Sequence, residues 1–161
     1  PFAAHRGKMY PLQFMKQVIA QLSNSGDYTV FLFGGGAAEI AQLDKLASDF
    51  KGVTNMAGKL SFTQELELIS NLDIMLAMDS GNGHLAALYD IEVLTIWGVT
   101  HPFLGFAPFN QPNENQLLAD RTKYPLVPTS VYGSTYPDGY EKAIETISPS
   151  TVVEKVLSVL T

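Results

Sequence analysis

The chain has 161 residues, 46% of them hydrophobic and 16% charged, which is typical of a globular protein that buries its core as one domain. It contains no cysteine, and this excludes both a disulfide framework and a thiolate metal site. The net charge of -6 disfavours general nucleic-acid binding, because an acidic surface repels a polyanion, and no apolar run approaches the roughly 20 residues of a membrane span.

Helices and strands alternate along the first part of the chain. Apolar residues recur every four positions in the first helix (Phe14, Val18, Leu22), and Ser61 and Gln64 form a capping box that opens the third. The predicted helices cover residues 10–26, 37–50, 61 onward and 83–89, and the strands that follow them cover 28–34, 53–55, 74–78 and 93–98. This order predicts an α/β fold with a parallel sheet wrapped by helices.

The segment after the last of these strands has a different character. Seven prolines fall between Val99 and Pro149, and a loop of that length in a compact domain is usually functional or disordered. We expect one short strand within residues 115–120 and a closing helix over residues 148–160. The chain opens without an initiator methionine and shows no signal peptide, and we expect it to be a fragment of a longer protein.

The stretch "DSGNGH", Asp79 to His84, stands at the junction of a predicted strand and a predicted helix. Ligands of open parallel sheets bind outside the carboxyl ends of the strands, and the free amides of a helix's first turn attract anions. Gly81 and Gly83 would let phosphate oxygens approach the backbone. Ser80 can donate a hydrogen bond, and His84 lies about one helical turn further on. The cluster therefore indicates a phosphate-binding site.

Two other interpretations of this cluster are open. Asp79 or Ser80 could serve only as a helix N-cap, but that does not explain a polar His84 beside the apolar "LAALY". The same three residues supply the side-chain types of a hydrolase triad. The nucleophile elbow G-x-S-x-G is absent, however, and triad residues are usually distant in sequence, which disfavours a hydrolase.

Two further stretches could contact a ligand. Three glycines follow a strand in "FLFGGGAAE", as in the dinucleotide-binding fingerprint, but Glu39 stands where that fingerprint has glycine or alanine. Glu39 could instead accept hydrogen bonds from ribose hydroxyls, or be a solvated carboxylate in the first turn of a helix. In "AHRGKMYP", Lys8 precedes a helix and could supply positive charge to a diphosphate, although surface lysines are common.

Together, in this order and spacing, these stretches resemble the carboxyl-terminal half of glycosyltransferase family 9, the bacterial ADP-heptose:lipopolysaccharide heptosyltransferases. "DSGNGHLAA" matches the family signature D-[ST]-G-x-x-H-[LI]-A-A throughout, "GVTHP" resembles its G-x-T-x-P, and "GKMYP" its basic segment before an aromatic residue and proline. The closing "AIETISPSTVVEKV" resembles the family's I-[ST]-P-x-x-V ending, so the resemblance covers almost the whole chain.

The resemblance implies a Rossmann-like parallel sheet with helices on both faces, the second half of a two-domain glycosyltransferase of the GT-B type. Residues 1–161 would form a single nucleotide-sugar-binding domain. The family's pattern also implies ligand contacts for seven residues: Lys8, Ser80, Gly81 and His84 for the diphosphate, Glu39 for the ribose, Leu60 for the adenine and Asp79 for the sugar.

By the same resemblance the chain takes part in inverting sugar transfer, in which an acceptor hydroxyl attacks the anomeric carbon as the diphosphate leaves. Lys8 and His84 would stabilise the charge on the diphosphate, so we expect no metal and no cofactor besides the ADP-sugar donor, which is a substrate. The catalytic base belongs to the family's amino-terminal domain, so no catalytic base is expected in this chain. The implied acceptor is the lipopolysaccharide core, reached through that other domain in the cytoplasm, at the inner membrane.

Other functions stay open on the sequence. A nucleotide-sugar epimerase on the same architecture would need paired catalytic carboxylates, and no such pair stands out. A non-catalytic nucleotide-binding module would bind the same donor. Many relatives in the family carry cysteines in the loop before the last helix, whereas "TKYPLVPTSVYGSTYPDGYEKAI" has none, so this loop departs from the family pattern.

Overall fold

The computed structural model describes residues 2–160, in which helices and strands alternate in the predicted order. The helices are α1 (Leu12–Asn24), α2 (Ala37–Ser48), α3 (Phe62–Ile69), α4 (Gly81–Leu88) and α5 (Pro149–Leu160). The strands are β1 (Val30–Leu32), β2 (Val53–Asn55), β3 (Ile74–Met78), β4 (Glu92–Trp97) and β5 (Gln116–Leu118). Short 3-10 turns cover Arg6–Lys8, Pro102–Leu104, Asn113–Asn115 and Tyr140–Thr146.

Local sequence signals set several of the helix ends. Ser61 and Gln64 form the predicted capping box: Ser61 Oγ accepts a hydrogen bond from Gln64 N (3.4 Å), and Gln64 Oε1 accepts one from Ser61 N (3.0 Å). α5 begins at Pro149, and Ser148 Oγ accepts a hydrogen bond from Thr151 N at 3.1 Å. Ser148 is therefore the N-cap of α5, with proline in the first helical position, where its missing N–H costs nothing.

All strand pairs are parallel, as predicted, but they form two sheets. In the first, β1 pairs with β2, with Val30 opposite Val53; in the second, the order is β3–β4–β5, with Ile74 opposite Glu92. Among residues 2–160 no strand hydrogen bond joins β1 to β3, and both strands line a cleft of about 760 Å³ that reaches the start of α4. The parallel sheet is thus interrupted between β1 and β3.

Two apolar clusters hold the helices against the strands. The larger contains Val18 of α1 and Leu43 of α2, both fully buried, and also residues of α5. The smaller, around the fully buried Ile69, packs α3 and α4 against β3 and β4. Met78 of β3 belongs to the larger cluster and its neighbour Ala77 to the smaller. Because successive strand side chains point to opposite faces, helices cover both faces of β3.

The proline-rich segment after β4 folds back onto the strand ends. Thr129 N donates a hydrogen bond to Val99 O at 2.9 Å, directly after β4. Trp97 Nε1 donates one to Gln116 Oε1 at 2.8 Å, which joins the side chains of β4 and β5. Val127 belongs to a third small apolar cluster within this segment, with Ala119 and Ala143. The proline-rich segment therefore folds as part of the domain and is held by hydrogen bonds and apolar packing.

Candidate functional site

The "DSGNGH" cluster lies between the carboxyl end of β3 and the amino end of α4, as predicted. Ser80 is the N-cap residue of α4 by its extended backbone (φ −153°, ψ 166°), yet its side chain makes no capping hydrogen bond. The first-turn amides of α4 consequently have no side-chain cap, and they carry the partial positive charge of a helix end. This end of α4 is therefore suited to an anion.

The two glycines of this turn have different surroundings. A Cβ at Gly81 would meet no atom within 4 Å, so the backbone there is open to a ligand. Gly83 is buried, and a Cβ there would lie 3.3 Å from Ala77 Cβ and 3.4 Å from Val93 Cγ1. Gly83 therefore allows the close packing of α4 on β3 and β4. The phosphate contact predicted for its backbone stays a prediction.

Lys8 and Asp79 form an ion pair at the end of β3, with 2.9 Å between Lys8 Nζ and Asp79 Oδ2. The hydroxyl of Thr100 donates a hydrogen bond to the same carboxylate oxygen, also at 2.9 Å. The two charged side chains are only 13% and 8% exposed, so little water competes with these contacts. Asp79 Oδ1 has no partner among the residues that the structure describes. Asp79 therefore holds Lys8 with one carboxylate oxygen, while the other has no protein partner within the described residues.

Close backbone contacts fix the segment that carries Lys8. Gly7 O accepts a hydrogen bond from Val99 N at 3.1 Å, and a Cβ on Gly98 would collide with Gly7 O, so only glycine fits there. From the other side Gly133, at a φ of +71°, packs on Lys8: a Cβ there would come within 2.9 Å of Lys8 Cδ. Lys8 is thus held between the end of β4 and the proline-rich segment.

Glu39 lies in the first turn of α2, next to the glycine loop that follows β1. Its Oε2 accepts a hydrogen bond from Gly35 N at 2.9 Å, and this bond shapes the loop. The other carboxylate oxygen has no protein partner within residues 2–160. An ionised carboxylate has room for several donors, so Glu39 can still accept a hydrogen bond from a ligand hydroxyl.

Leu60 follows β2 in a turn that is tied to α2. Asn55 Nδ2 donates a hydrogen bond to Asp44 Oδ1 (2.8 Å), and Asn55 Oδ1 accepts one from Ala57 N (2.9 Å). The bond from Asn55 lowers the pKa of the Asp44 carboxyl. Leu60 itself is half-buried and keeps apolar surface that a flat ring could contact.

His84 is the fourth residue of α4 and is half-buried. Neither His84 nor Ser80 makes a side-chain hydrogen bond or ion pair to any residue between 2 and 160. An imidazole and a hydroxyl can both donate to phosphate oxygens. Two polar side chains without protein partners, beside an uncapped helix end, are the clearest indication of a ligand in this structure.

His101 is a second histidine close to the site, and it is not among the predicted site residues. It is 3% exposed, its Nδ1 accepts a hydrogen bond from Phe103 N at 3.2 Å, and the two ring centroids lie 4.2 Å apart. Burial, and secondly the charge of Arg121, lower the pKa of His101, so its imidazole is neutral near pH 7. His101 therefore supports the turn after β4 and supplies no charge to a ligand.

Five of the seven predicted site residues lie together around the end of β3. Glu39 approaches them from α2, because it lines the same cleft as Ser80 and Gly81. Leu60 lies apart, after β2, and no described contact links it to the others. The five that lie together are Lys8, Asp79, Ser80, Gly81 and His84.

Thr100 and Gly133, which lie against the Lys8–Asp79 pair, are not among the predicted site residues. The sequence does contain an indication that Thr100 lies at the site. It follows β4, the neighbour of β3, and parallel strands end at the same edge of a sheet. No sequence pattern predicts the position of Gly133, because its contact with Lys8 joins distant parts of the chain. The proline-rich segment thus contributes directly to the site.

Other features of the described residues bear on the chemistry. Residues 2–160 contain no group of three or more histidine, cysteine, aspartate or glutamate side chains that could hold a metal ion.

No helix in that range has both the length and the apolar character to cross a bilayer. The other ion pairs found there, Lys16–Asp49 and Lys59–Asp44, are exposed and contribute little stability.

The sequence is similar to glycosyltransferases of one family. The model of glycosyltransferase family 9 (heptosyltransferase) matches residues 1–135. Lipooligosaccharide heptosyltransferase 2 of Campylobacter jejuni is 24% identical over 157 residues, which are 95% of this chain and 47% of that protein. Lipopolysaccharide heptosyltransferase 3 of Escherichia coli is 29% identical over 102 residues, 62% of this chain and 30% of that protein. The chain thus spans about half the length of the first of these relatives and less of the second.

Solved heptosyltransferase structures share the fold. Escherichia coli ADP-heptose lipopolysaccharide heptosyltransferase II aligns with a TM-score of 0.74 at 20% identity, over 99% of this chain and 44% of that chain. Escherichia coli heptosyltransferase WaaC with ADP aligns with a TM-score of 0.72 at 19% identity, over 98% of this chain and 42% of that chain. The α/β fold is therefore that of about half of a GT-B glycosyltransferase.

Proposed function

Because this chain belongs to glycosyltransferase family 9, we propose that it is the donor-binding half of an inverting enzyme that transfers heptose, or a similar sugar, from an ADP-sugar to a lipopolysaccharide core acceptor. The observation that carries the proposal is the uncapped amino end of α4, where Ser80 and His84 lack protein partners next to the braced Lys8. Amide, hydroxyl, imidazole and ammonium groups there are the donors that a diphosphate requires.

In the proposed complex the diphosphate binds at the amino end of α4. Gly81 admits phosphate oxygens to the backbone amides, since no atom lies within 4 Å of a Cβ built there. Ser80 and His84 donate hydrogen bonds, and Lys8 supplies a full positive charge held in place by Asp79. These groups stabilise the negative charge that grows on the diphosphate as it leaves, which lowers the barrier to transfer.

Asp79 has a further role toward the sugar in this proposal. Its Oδ2 is occupied by Lys8 and Thr100, whereas its Oδ1 is without a partner in the described chain. A sugar hydroxyl next to the leaving diphosphate can donate to Oδ1. The same carboxylate would then orient both the lysine and the sugar, so that the anomeric carbon has a fixed position relative to the diphosphate.

The nucleoside would bind on the α2 side of the site. Glu39 accepts a hydrogen bond from Gly35 N with one oxygen, which leaves the other for the ribose hydroxyls. Leu60, half-buried after β2, would contact the adenine face. Apolar and main-chain contacts of this kind distinguish nucleobases weakly, so the choice of ADP is tested separately below.

Transfer also needs a base to deprotonate the acceptor hydroxyl, which attacks the anomeric carbon while ADP departs. None of the assigned residues has that role, and the proposal assigns base and acceptor to a part of the enzyme outside this chain. The chain alone would therefore bind the donor but hardly catalyse transfer. Because amides, Lys8 and His84 neutralise the diphosphate, the proposal includes no metal or cofactor. The enzyme would work in the cytoplasm, at the inner membrane that carries its acceptor.

A non-catalytic nucleotide-binding module is the alternative, because the site contains groups that bind an anion and no assigned base. A nucleotide-sugar epimerase is less well supported. It would need paired carboxylates at the site, whereas Asp79 is engaged by Lys8 and Glu39 by Gly35. Activity of the full-length protein separates the enzyme from the module.

Calorimetric titration with ADP, UDP, GDP and ADP-heptose tests the donor assignment. We expect ADP-selective binding that His84→Ala weakens about tenfold, or about 1.4 kcal/mol, because a hydrogen bond to a charged phosphate is lost. Gln17→Ala, on the exposed surface of α1, is the matched control and should bind like the wild type. Stronger binding of UDP or GDP would keep the site and change the nucleotide, whereas equal binding by His84→Ala and wild type would contradict the diphosphate assignment.

The transferase itself is tested in the full-length protein. We expect transfer of heptose from ADP-heptose to a lipopolysaccharide core, lowered by at least about tenfold in Lys8→Ala because transition-state charge is less well stabilised. Lys45→Ala, an exposed lysine of α2, is the control for the loss of one positive charge. Donor binding without any transfer would favour the non-catalytic module.

A further inference from the structure

The loop of residues 129–136, within the proline-rich segment, is anchored beside the end of β4. Its first residue, Thr129, donates two hydrogen bonds to Val99 O, from its backbone N at 2.9 Å and from its hydroxyl at 3.3 Å. Further along, Thr135 N donates a hydrogen bond to Ser130 Oγ at 3.2 Å, which joins the two ends of the loop. The 129–136 loop therefore has a defined position relative to the strand ends.

This loop packs against both Gly7 and Lys8. A Cβ on Gly7 would lie 3.0 Å from Tyr136 Cε1, so the ring of Tyr136 lies close to the Gly7 backbone. Gly133 is buried, and a Cβ built on it would come within 2.9 Å of Lys8 Cδ and 3.0 Å of Lys8 Cγ. The loop therefore confines the aliphatic part of the Lys8 side chain, whereas Asp79 holds its ammonium group.

Two separate properties make glycine necessary at position 133. Its φ of +71° lies in the left-handed region, which residues with a side chain rarely adopt. The space around it is also filled, because a Cβ there would meet Thr100 Cγ2 at 3.0 Å as well as Lys8. Gly139 shares only the first property: its φ is +84°, and a Cβ there would meet no atom within 4 Å. Alanine at 139 therefore imposes the backbone strain without the contact.

Thr100 contributes to the same arrangement with two different groups. Its methyl group faces Gly133, and its hydroxyl donates a hydrogen bond to the Asp79 oxygen that pairs with Lys8. The side chain of a lysine is flexible, and ordering it costs conformational entropy. Contacts along the aliphatic part and at the ammonium group restrict Lys8 before any ligand arrives, which lowers the cost of binding an anion.

We propose that Gly133 is a positioning residue for Lys8. Because it has no side chain, it leaves the room in which the Lys8 side chain extends to Asp79, and it thereby sets where the ammonium group meets the diphosphate. A side chain at 133 displaces Lys8, since a flexible lysine yields more easily than the surrounding backbone. The role toward the diphosphate rests on the proposed function, whereas the role toward Lys8 rests on the contacts alone.

Limited acetylation with acetic anhydride tests the position of Lys8 without any ligand. Peptide mass spectrometry gives the rate for each lysine, and Lys16 is the internal reference, because its side chain is 53% exposed and that of Lys8 is 13% exposed. We expect Gly133→Ala to raise the rate at Lys8 relative to Lys16 by about fivefold or more, as the ion pair with Asp79 is weakened. Gly139→Ala should leave this ratio unchanged, and urea unfolding reports the strain in both variants.

Calorimetric titration with ADP-heptose tests the consequence for the donor. We expect Gly133→Ala to weaken binding about fivefold and Gly139→Ala to bind like the wild type. Thr100→Ser, added to Gly133→Ala, removes the methyl group that confines the new Cβ and keeps the hydroxyl. The double variant should regain part of the affinity and part of the slow acetylation of Lys8, which removal of a methyl group would not achieve if Gly133→Ala had merely loosened the fold.

Equal acetylation ratios in Gly133→Ala and Gly139→Ala would overturn the proposal. Faster acetylation of Lys8 with undiminished binding of ADP-heptose would overturn its second half, the link from Gly133 to the diphosphate. If the wild type bound no ADP-heptose, the proposed function would fail, and the acetylation ratio would still decide whether Gly133 positions Lys8. The two failures are therefore distinguishable.

Discussion

At the residue scale, Thr100 shares one oxygen of Asp79 with Lys8, at 2.9 Å in both cases. Valine would keep the shape of Thr100 and remove its hydroxyl, so the carboxylate would lose one of the two groups that orient it. We expect Thr100→Val to weaken ADP-heptose binding about fivefold, equivalent to about 1 kcal/mol, in a calorimetric titration. Thr63→Val, at an exposed position of α3, is the control, and equal affinities in the two variants would argue against this role.

His101 makes the stability of the domain depend on pH. Burial, and secondly Arg121, lower the pKa of His101, so the folded protein favours the neutral imidazole more than the unfolded chain does. The unfolded chain therefore binds more protons below about pH 6.5, and the free energy of unfolding falls as the pH drops further. We expect His101→Gln to flatten this decrease in urea unfolding, followed by circular dichroism at pH 7, 6 and 5.

The control for this prediction is His5→Gln. It removes one histidine and leaves His101 unchanged, so the wild-type decrease should persist. If His101→Gln kept the full decrease and His5→Gln removed it, the pH dependence would belong to the amino-terminal turn instead.

At the scale of the element, the two glycines of α4 should respond differently to substitution. Gly81→Ala adds a methyl group where no atom lies within 4 Å, so stability should hold or rise while ADP-heptose binding weakens. Gly83→Val adds atoms against Ala77 and Val93 and should lower the free energy of unfolding by about 1–3 kcal/mol. Urea unfolding and calorimetric titration separate the two effects. Normal donor binding by Gly81→Ala would rule out an open-backbone contact with phosphate.

Elements that depend on neighbouring residues are predictable from the sequence, and elements that depend on distant ones are less so. The capping box of Ser61 and Gln64 is present as predicted, because both bonds form within four residues. The apolar run over residues 28–34 predicts a longer strand than β1, which ends at Leu32. Its length depends on pairing with β2, which has only three residues. The gap between β1 and β3 likewise has no local signature.

At the scale of the whole molecule, Tyr10 ties the two ends of the chain together. Its hydroxyl donates a hydrogen bond to Ile147 O at 2.7 Å, and burial raises its pKa to about 12. The folded protein thus favours the neutral phenol, and this contribution to stability is present below about pH 10 and is lost as the pH rises through about 12. We expect Tyr10→Phe to lower the free energy of unfolding by about 1–2 kcal/mol at pH 7, measured by urea unfolding.

The matched control for Tyr10 is Tyr132→Phe, because the side chain of Tyr132 is 63% exposed. It should change the free energy of unfolding by less than about 0.5 kcal/mol. Equal effects of the two substitutions would show that the bond to Ile147 is not what stabilises the fold.

The site residues, too, are predictable from the sequence where their contacts are local and less so where their contacts join distant parts of the chain. The groups from Asp79 to His84 are consecutive in the chain, so one strand-to-helix junction brings them together, and the sequence predicts it. Lys8 is assigned to the site by the family resemblance, since it lies in a 3-10 turn before α1 and no described strand leads into it. Gly133 reaches Lys8 from the proline-rich segment, whose course depends on many weak contacts, and no sequence pattern reveals it.

The position of Trp97 has a practical consequence. It is the one tryptophan of the sequence, it is 1% exposed, and its indole N–H is bonded to Gln116. Two residues later, Val99 holds the backbone of Gly7, directly before Lys8. A displacement of that backbone on ligand arrival would alter the surroundings of the indole. The protein thus contains its own fluorophore, and ligand occupancy can be followed by ultraviolet emission from unlabelled material.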